Sequence, residues 1–202
     1  MAKLVCETSP ADVAALTTSA FGGSDVDTVR KALIGKVGEN MSIRRFKRAA
    51  PAGKVASYVH NGRIGVLVEY TGDEAAAKDV AMHIAATNPV AMNLEAIPKD
   101  VLARESAVLE EKNAGKPANV MEKIVASGLK TYAKETCLLE QAYVHDGSKT
   151  VTQVLAELAG KAGAAVKLTG YVRMQLGEGI EKAEDDFAAE VAKMSGTDKE
   201  AK

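Results

Sequence analysis

An Asn-Gly pair between two apolar runs, followed closely by a helix-start signal, constrains this chain more than any other feature. It lies in Ser57 to Pro89, SYVHNGRIGVLVEYTGDEAAAKDVAMHIAATNP. Asn61-Gly62 can take the positive φ angles of a tight type I′ turn, so two strands are predicted to meet at His60-Asn61-Gly62-Arg63. Beyond the turn, Ile64, Val66, Val68 and Tyr70 alternate with Gly65, Leu67 and Glu69, the period of two that puts one strand face on a core. Thr71-Gly72-Asp73-Glu74 offers a capping box. Ala77, Val80, Ala81, Ile84 and Ala85 then recur at helical spacing until Asn88-Pro89 stops the helix. The result is a ββα unit whose polar tip suggests a binding module.

The rest of the chain supplies covering elements. Ser9, with Pro10 and Asp12 behind it, predicts a helix towards Phe21 that Gly22-Gly23 ends. Ser24 to Asp27 caps a second helix, with Val26, Val29, Leu33 and Val37 on one face and Gly38 after it. Ser42 to Ala50 alternates like a strand and carries Arg44, Arg45, Lys47 and Arg48. These four cations read either as a phosphate-binding strip or as charges that protect an edge strand. A near-neutral chain with only Phe46 nearby for base stacking favours the edge strand. Pro98 to Asn113 and Pro117 to about Glu135, broken by Gly115-Lys116-Pro117, predict an antiparallel helical hairpin. A strand-like piece at Gln141 to Val144 precedes a turn at Asp146-Gly147, and Thr150-Val151-Thr152-Gln153 caps another helix. Val166 to Leu176 alternates again, with Val166, Leu168, Val172, Met174 and Leu176 as the apolar set, and is the candidate third strand. After Gly177-Glu178-Gly179, Ile180, Phe187, Val191 and Met194 are spaced for a last helix. This order, poor in βαβ crossovers, predicts an α+β fold with a small antiparallel sheet packed by helices, a projecting helical hairpin and a C-terminal helix.

Composition limits the function. The chain has 202 residues, 47% of them hydrophobic and 26% charged, enough for a core and a solvated surface. With 26 Lys plus Arg against 27 Asp plus Glu, its formal net charge is -1, so no overall field would gather nucleic acid or anionic lipid. No direct nucleic-acid partner and no membrane association are expected. Two cysteines are too few for a disulfide framework, and no charged-then-apolar leader opens the sequence, so a cytoplasmic location is expected. Cys6 and Cys137 read as small buried apolar groups. His60, His83 and His145 read as polar surface or interface groups, since no HxxxH or cysteine pair supports a metal site. We find no nucleophile elbow, phosphate loop or dinucleotide fingerprint in the required context. No catalytic residue, metal or cofactor is expected.

Four segments, taken in order, closely resemble bacterial elongation factor Ts: KVGENMSIRRF (Lys36 to Phe46), SYVHNGRIGVLVEY with KDVAMHIAATNP, QAYVHDGSKTVTQ (Gln141 to Gln153) and GEGIEKAEDDFAAEVAKM (Gly177 to Met194). The resemblance covers nearly all of the chain. It implies a translation factor, not an enzyme of covalent chemistry, that binds elongation factor Tu and promotes GDP release as a guanine nucleotide exchange factor. Such a partner weakens GDP by as much as it prefers the empty form. By the same resemblance, Val37 and Gly38 would lie on the partner's G domain. The hairpin tip His60, Asn61 and Gly62 and the loop Val144-His145 would approach its third domain. His145 stands where some relatives carry methionine.

The resemblance also implies a division of the chain. Residues 1-54 would be a remnant of the N-terminal core subdomain, 55-97 with 138-179 the C-terminal core subdomain, 98-137 the helical arm, and 180-202 a C-terminal module and tail. A homodimer or a two-plus-two complex with the partner is compatible with it. The SPADVAAL run fits a family helix downstream of the TDFV segment, so the first helical domain and that segment are expected to be missing. Exchange would then be impaired, and the alternative function is a binding or scaffold fragment that holds elongation factor Tu without releasing GDP.

Overall fold

In the structure, a computed structural model, residues 1–162 and 165–179 are described. The N-terminal part is made of short elements. Ala2–Thr8 forms helix α1, closed by Ser9 in the left-handed region at φ 47°. Asp12, not Ser9, caps the next helix: its Oδ1 accepts the Ala15 N–H at 2.8 Å, and α2 spans only Val13–Thr17. The helix predicted to reach Phe21 is thereby corrected. The chain turns back at Gly22-Gly23, pairing Ala20–Phe21 (β1) with Ser24–Asp25 (β2). Helix α3, Val26–Val37, follows as expected, with Asp25 accepting the Thr28 N–H at 2.7 Å and Gly38 closing it at φ 80°. That bond from the Thr28 N–H, with a second from the Thr28 hydroxyl to Asp25 Oδ2 at 2.9 Å, holds the Asp25 carboxyl below its ordinary range.

Residues 38–53 contain no helix or strand, so the strand predicted over Ser42 to Ala50 is not formed. A strand needs a neighbour to take its backbone groups. Here the basic side chains find another anchor: Arg45 Nη2 lies 2.7 Å from Glu178 Oε2, and Arg44 donates to the Glu178 carbonyl.

The predicted hairpin comes next. Lys54–His60 (β3) and Ile64–Thr71 (β4) pair antiparallel from Lys54↔Tyr70 to His60↔Ile64. At its tip Asn61 and Gly62 have φ 50° and 67°, and the Arg63 N–H donates to the His60 carbonyl at 2.9 Å. Helix α4, Glu74–Thr87, is capped by Asp73, whose Oδ2 accepts the Ala76 N–H at 2.8 Å; Glu74 instead pairs forward with Lys78 at 2.7 Å. The capping box expected from Thr71 and Glu74 is replaced by this single-residue cap. Gly72 bends the chain before it at φ 96°, and a Cβ there would sit 2.5 Å from the Ala165 carbonyl oxygen, so only glycine fits.

A 3-10 turn at Leu94–Ala96 leads into the helical hairpin, α5 (Lys99–Lys112) and α6 (Ala118–Thr136). The two helices approach closely where Gly128 faces Leu109: a Cβ on Gly128 would fall 2.5 Å from Leu109 Cδ1. Ala142–Tyr143 (β5) and Asp146–Thr150 (β6) then form a small ribbon ahead of α7, Val151–Ala162. The cap of α7 is the reciprocal one that TVTQ predicts, with the Thr150 N–H on Gln153 Oε1 at 2.8 Å and the Gln153 N–H on Thr150 Oγ1 at 3.3 Å.

Lys167–Gln175 (β7) adds to β4 as the expected third strand, giving the antiparallel order β3-β4-β7. A bulge changes which residues face inward. Glu69 pairs with Gly170 but Tyr70 with Leu168, so Thr169 is the extra residue. Leu168 consequently faces the core beside Tyr70, while Tyr171 and Arg173 oppose Val68 and Val66 on that same face. Val172 and Met174 oppose Leu67 and Gly65 on the other face. The single apolar alternation read from Val166 to Leu176 is thus split between two faces.

The core lies between the sheet and α4. Val68, Ala77, Ala81 and Ile84 are fully buried there, and Tyr70 nearly so, with Leu138, Tyr143, Val151 and Leu155 closing its far side. A second small cluster, Ala91, Ile97, Ala133 and Cys137, fastens the base of the arm. The architecture is α+β with small antiparallel sheets, as predicted. The last helix, expected from Ile180 to Met194, lies outside the described residues.

Candidate partner-binding site

Two of the sequence-predicted elements meet in space. The hairpin tip carries His60 at the end of β3, and its ring is held from both sides: Tyr58 Oη is 3.0 Å from Nδ1, and the Asn61 side-chain amide is 3.2 Å from Nε2. The Asn61 amide nitrogen can only donate, so Nε2 accepts and Nδ1–H points at the tyrosine oxygen. The loop between β5 and β6 brings Val144 and His145 alongside. Together with Ile64, Met82 and Arg173 these residues line a groove of about 420 Å³. Val144 is 46% exposed although apolar.

The groove has largely apolar walls, with Arg173 among its lining residues. Arg173 Nη2 donates to the Gln175 side chain at 2.9 Å and towards the Ala85 carbonyl at 3.4 Å, while its Nε is buried without a partner among the described residues. Beneath the loop, His83 is completely buried, which corrects its assignment as a surface or interface histidine. Its Nε2 lies 3.0 Å from Gln141 Oε1, and its Nδ1 accepts the Val144 N–H at 3.2 Å. Its ring stacks on Tyr143 at 5.8 Å, and Tyr143 meets His145 edge-on at 5.3 Å. Burial lowers the His83 pKa most, the nearby His145 adds to that, and the Gln141 bond opposes it. Burial likewise raises the Tyr143 hydroxyl.

Val37 and Gly38 stand apart from this groove, at the C-terminal end of α3. Of the α3 stripe only Val26 is buried, whereas Leu33 and Val37 are 47% and 52% exposed. The cysteines divide as well: Cys137 is buried and its thiol pushed up by burial, but Cys6 is exposed, against expectation. Among the described residues no group of three or more His, Cys, Asp or Glu side chains is placed to hold a metal ion. None of the described helices is long and apolar enough to cross a membrane.

Sequence reasoning missed His83, Gln141 and Arg173. For His83 a signal existed, since it follows Val80 by three residues and precedes Thr87 by four, on the apolar face of α4. For Arg173 none did, because its inward direction depends on the bulge.

Known proteins match this chain along the same elements. The family described as Elongation factor TS matches residues 1–178. Elongation factor Ts of Cupriavidus metallidurans is 49% identical over 194 residues, covering 95% of this chain and 64% of that protein. Its counterpart in Xanthobacter autotrophicus is 52% identical over 199 residues, covering 91% and 65%, and that of Paraburkholderia xenovorans 50% over 195, covering 95% and 64%. The chain therefore spans somewhat under two thirds of the length of these relatives. A match this long, through the hairpin, the arm and the third strand alike, means that the chain belongs to the elongation factor Ts family.

Proposed function

We propose that this chain binds elongation factor Tu and promotes the release of its GDP, acting as a guanine nucleotide exchange factor without covalent chemistry. The observation that carries this reading is the convergence of His60 and Val144-His145 on one groove, in a chain of the elongation factor Ts family. Exposed apolar side chains beside oriented polar ones suit a protein surface better than a small substrate. In this reading the groove grips the partner's third domain. The exposed end of α3, Leu33 to Gly38, presents a second apolar contact to its G domain. Binding that favours the nucleotide-free partner must weaken GDP by the same factor. The cytoplasm, where translation occurs, is the proposed location.

A chain that spans 64% of its relatives' length carries a second reading, in which it holds elongation factor Tu without accelerating exchange. Stopped-flow release of fluorescent GDP from elongation factor Tu separates the two. Acceleration that saturates with chain concentration supports exchange. Binding by calorimetry with an unchanged release rate supports the holding role, and no binding refutes both.

A further inference from the structure

The bonds around Gln141 leave His83 a single tautomer. The Gln141 side-chain nitrogen donates to the Glu135 carbonyl at 2.8 Å, so its Oε1 is turned towards His83 and Thr87, at 3.0 and 3.1 Å. An amide oxygen only accepts, so His83 Nε2 carries the hydrogen. Nδ1 then holds a lone pair, and the Val144 N–H fills it. Both ring nitrogens are satisfied in a site closed to water.

A proton added to Nδ1 would turn that acceptor into a donor facing another donor, and the pair would have to part. The two sides are not equally free to move. Gln141 is held by Glu135 and Thr87 through its side chain, and its carbonyl takes the Val151 N–H at 3.1 Å. Val144 belongs to an exposed loop. We infer that the neutral ring of His83 positions the Val144-His145 loop beside the hairpin tip, and that protonating it releases the loop. His83 is thus a positioning residue, touching no partner itself. The polar or titratable side chains around it are Gln141, Thr87, Tyr143 and His145, with Asp79 acting on Tyr143. That the loop meets elongation factor Tu rests on the function proposed above.

The test is amide exchange of the full chain by NMR, with the Val66 and Val68 amides of β4 as the folding control. At about pH 7.5, H83L is expected to raise Val144 exchange roughly tenfold or more, because the acceptor is gone. H83N, whose Oδ1 can stand near the Nδ1 position, is expected to restore most of the protection. Equal Val144 exchange in H83L and wild type, or H83N exchanging as fast as H83L, overturns the inference. If H83L loses its β4 protection, the decisive measurement is H145Q with His83 intact. Its Val144 exchange, corrected for intrinsic chemistry, must rise as pH falls below the ordinary histidine value of 6.5, from which burial lowers His83, and must do so while β4 still holds. A profile that stays flat down to the pH at which β4 itself loses protection overturns the inference. Affinity for elongation factor Tu supplies the second readout: about five- to tenfold weaker in H83L and recovered in H83N. Val144 exchange that responds while affinity does not would uphold the positioning role and refute the loop as a partner contact.

Discussion

Tyr171, on the last described strand, donates its phenolic hydrogen to the Pro89 carbonyl at 2.7 Å, joining positions 82 residues apart. The bond closes β7 over the end of α4. Y171F keeps the ring and removes the donor, leaving a half-buried carbonyl unpaired. A loss of about 1 kcal/mol in urea unfolding is expected; an unchanged midpoint would show that water replaces the bond.

The same hydroxyl gives an alkaline limb. Burial pushes it up to about 12, above the ordinary tyrosine value of 10.0. The unfolded chain then releases this proton before the folded one does, so stability is intact below pH 10 and declines as pH rises towards 12. Unfolding curves across that range should show the decline in the wild type and a shallower one in Y171F.

His83 gives the opposite limb. Its pKa is lowered from 6.5 by burial, so the unfolded chain takes up a proton that the folded chain refuses. Stability from this group is complete above about pH 6.5 and is lost as pH falls below it. H83N, having nothing to protonate, should flatten this acid limb in thermal melts.

Ile84 is completely buried between α4 and the sheet. I84A should cost about 2–5 kcal/mol, measured by denaturant titration, because the rigid neighbours refill the space only in part. By contrast D73A removes one cap bond at the start of the same helix and should cost about 1 kcal/mol.

For partner contact, H60A and V144D alter exposed side chains and should leave the melting temperature within a degree or two. Each is expected to weaken elongation factor Tu binding about tenfold or more in calorimetry, since V144D places a charge against an apolar surface and H60A removes an oriented polar tip. Wild-type affinity in both variants would exclude the groove as the contact.

Much of the fold was legible because it rests on interactions close in sequence. The Asn61-Gly62 turn, the α4 stripe, the Gly115 break and the TVTQ cap are each set by a few neighbouring residues. Errors arose where a local pattern had competitors. Ser9-Pro10 looks like a helix start, yet Asp12 offers a better placed oxygen, and Ser42 to Ala50 alternates like a strand but pairs with no strand among the described residues. The candidate site was half legible: His60 and Val144-His145 were singled out by resemblance, but their meeting in one groove was not.

The amino-acid sequence alone determined the main helices and the three sheet strands between Lys54 and Gln175, because turn chemistry, capping and apolar period act over a few residues; the turn expected at Asp146-Gly147 falls instead at Val144-His145, with Asp146 and Gly147 in β6. Tertiary structure alone decided which side of β7 faces inward, where the Thr169 bulge brings Tyr171 and Arg173 onto the core face. It alone decided that His83 is buried and bonded to a backbone 61 residues away. The reason is physical: a period of two records that faces alternate, not which face wins. Burial of a polar ring is tolerable only once distant partners arrive to satisfy it.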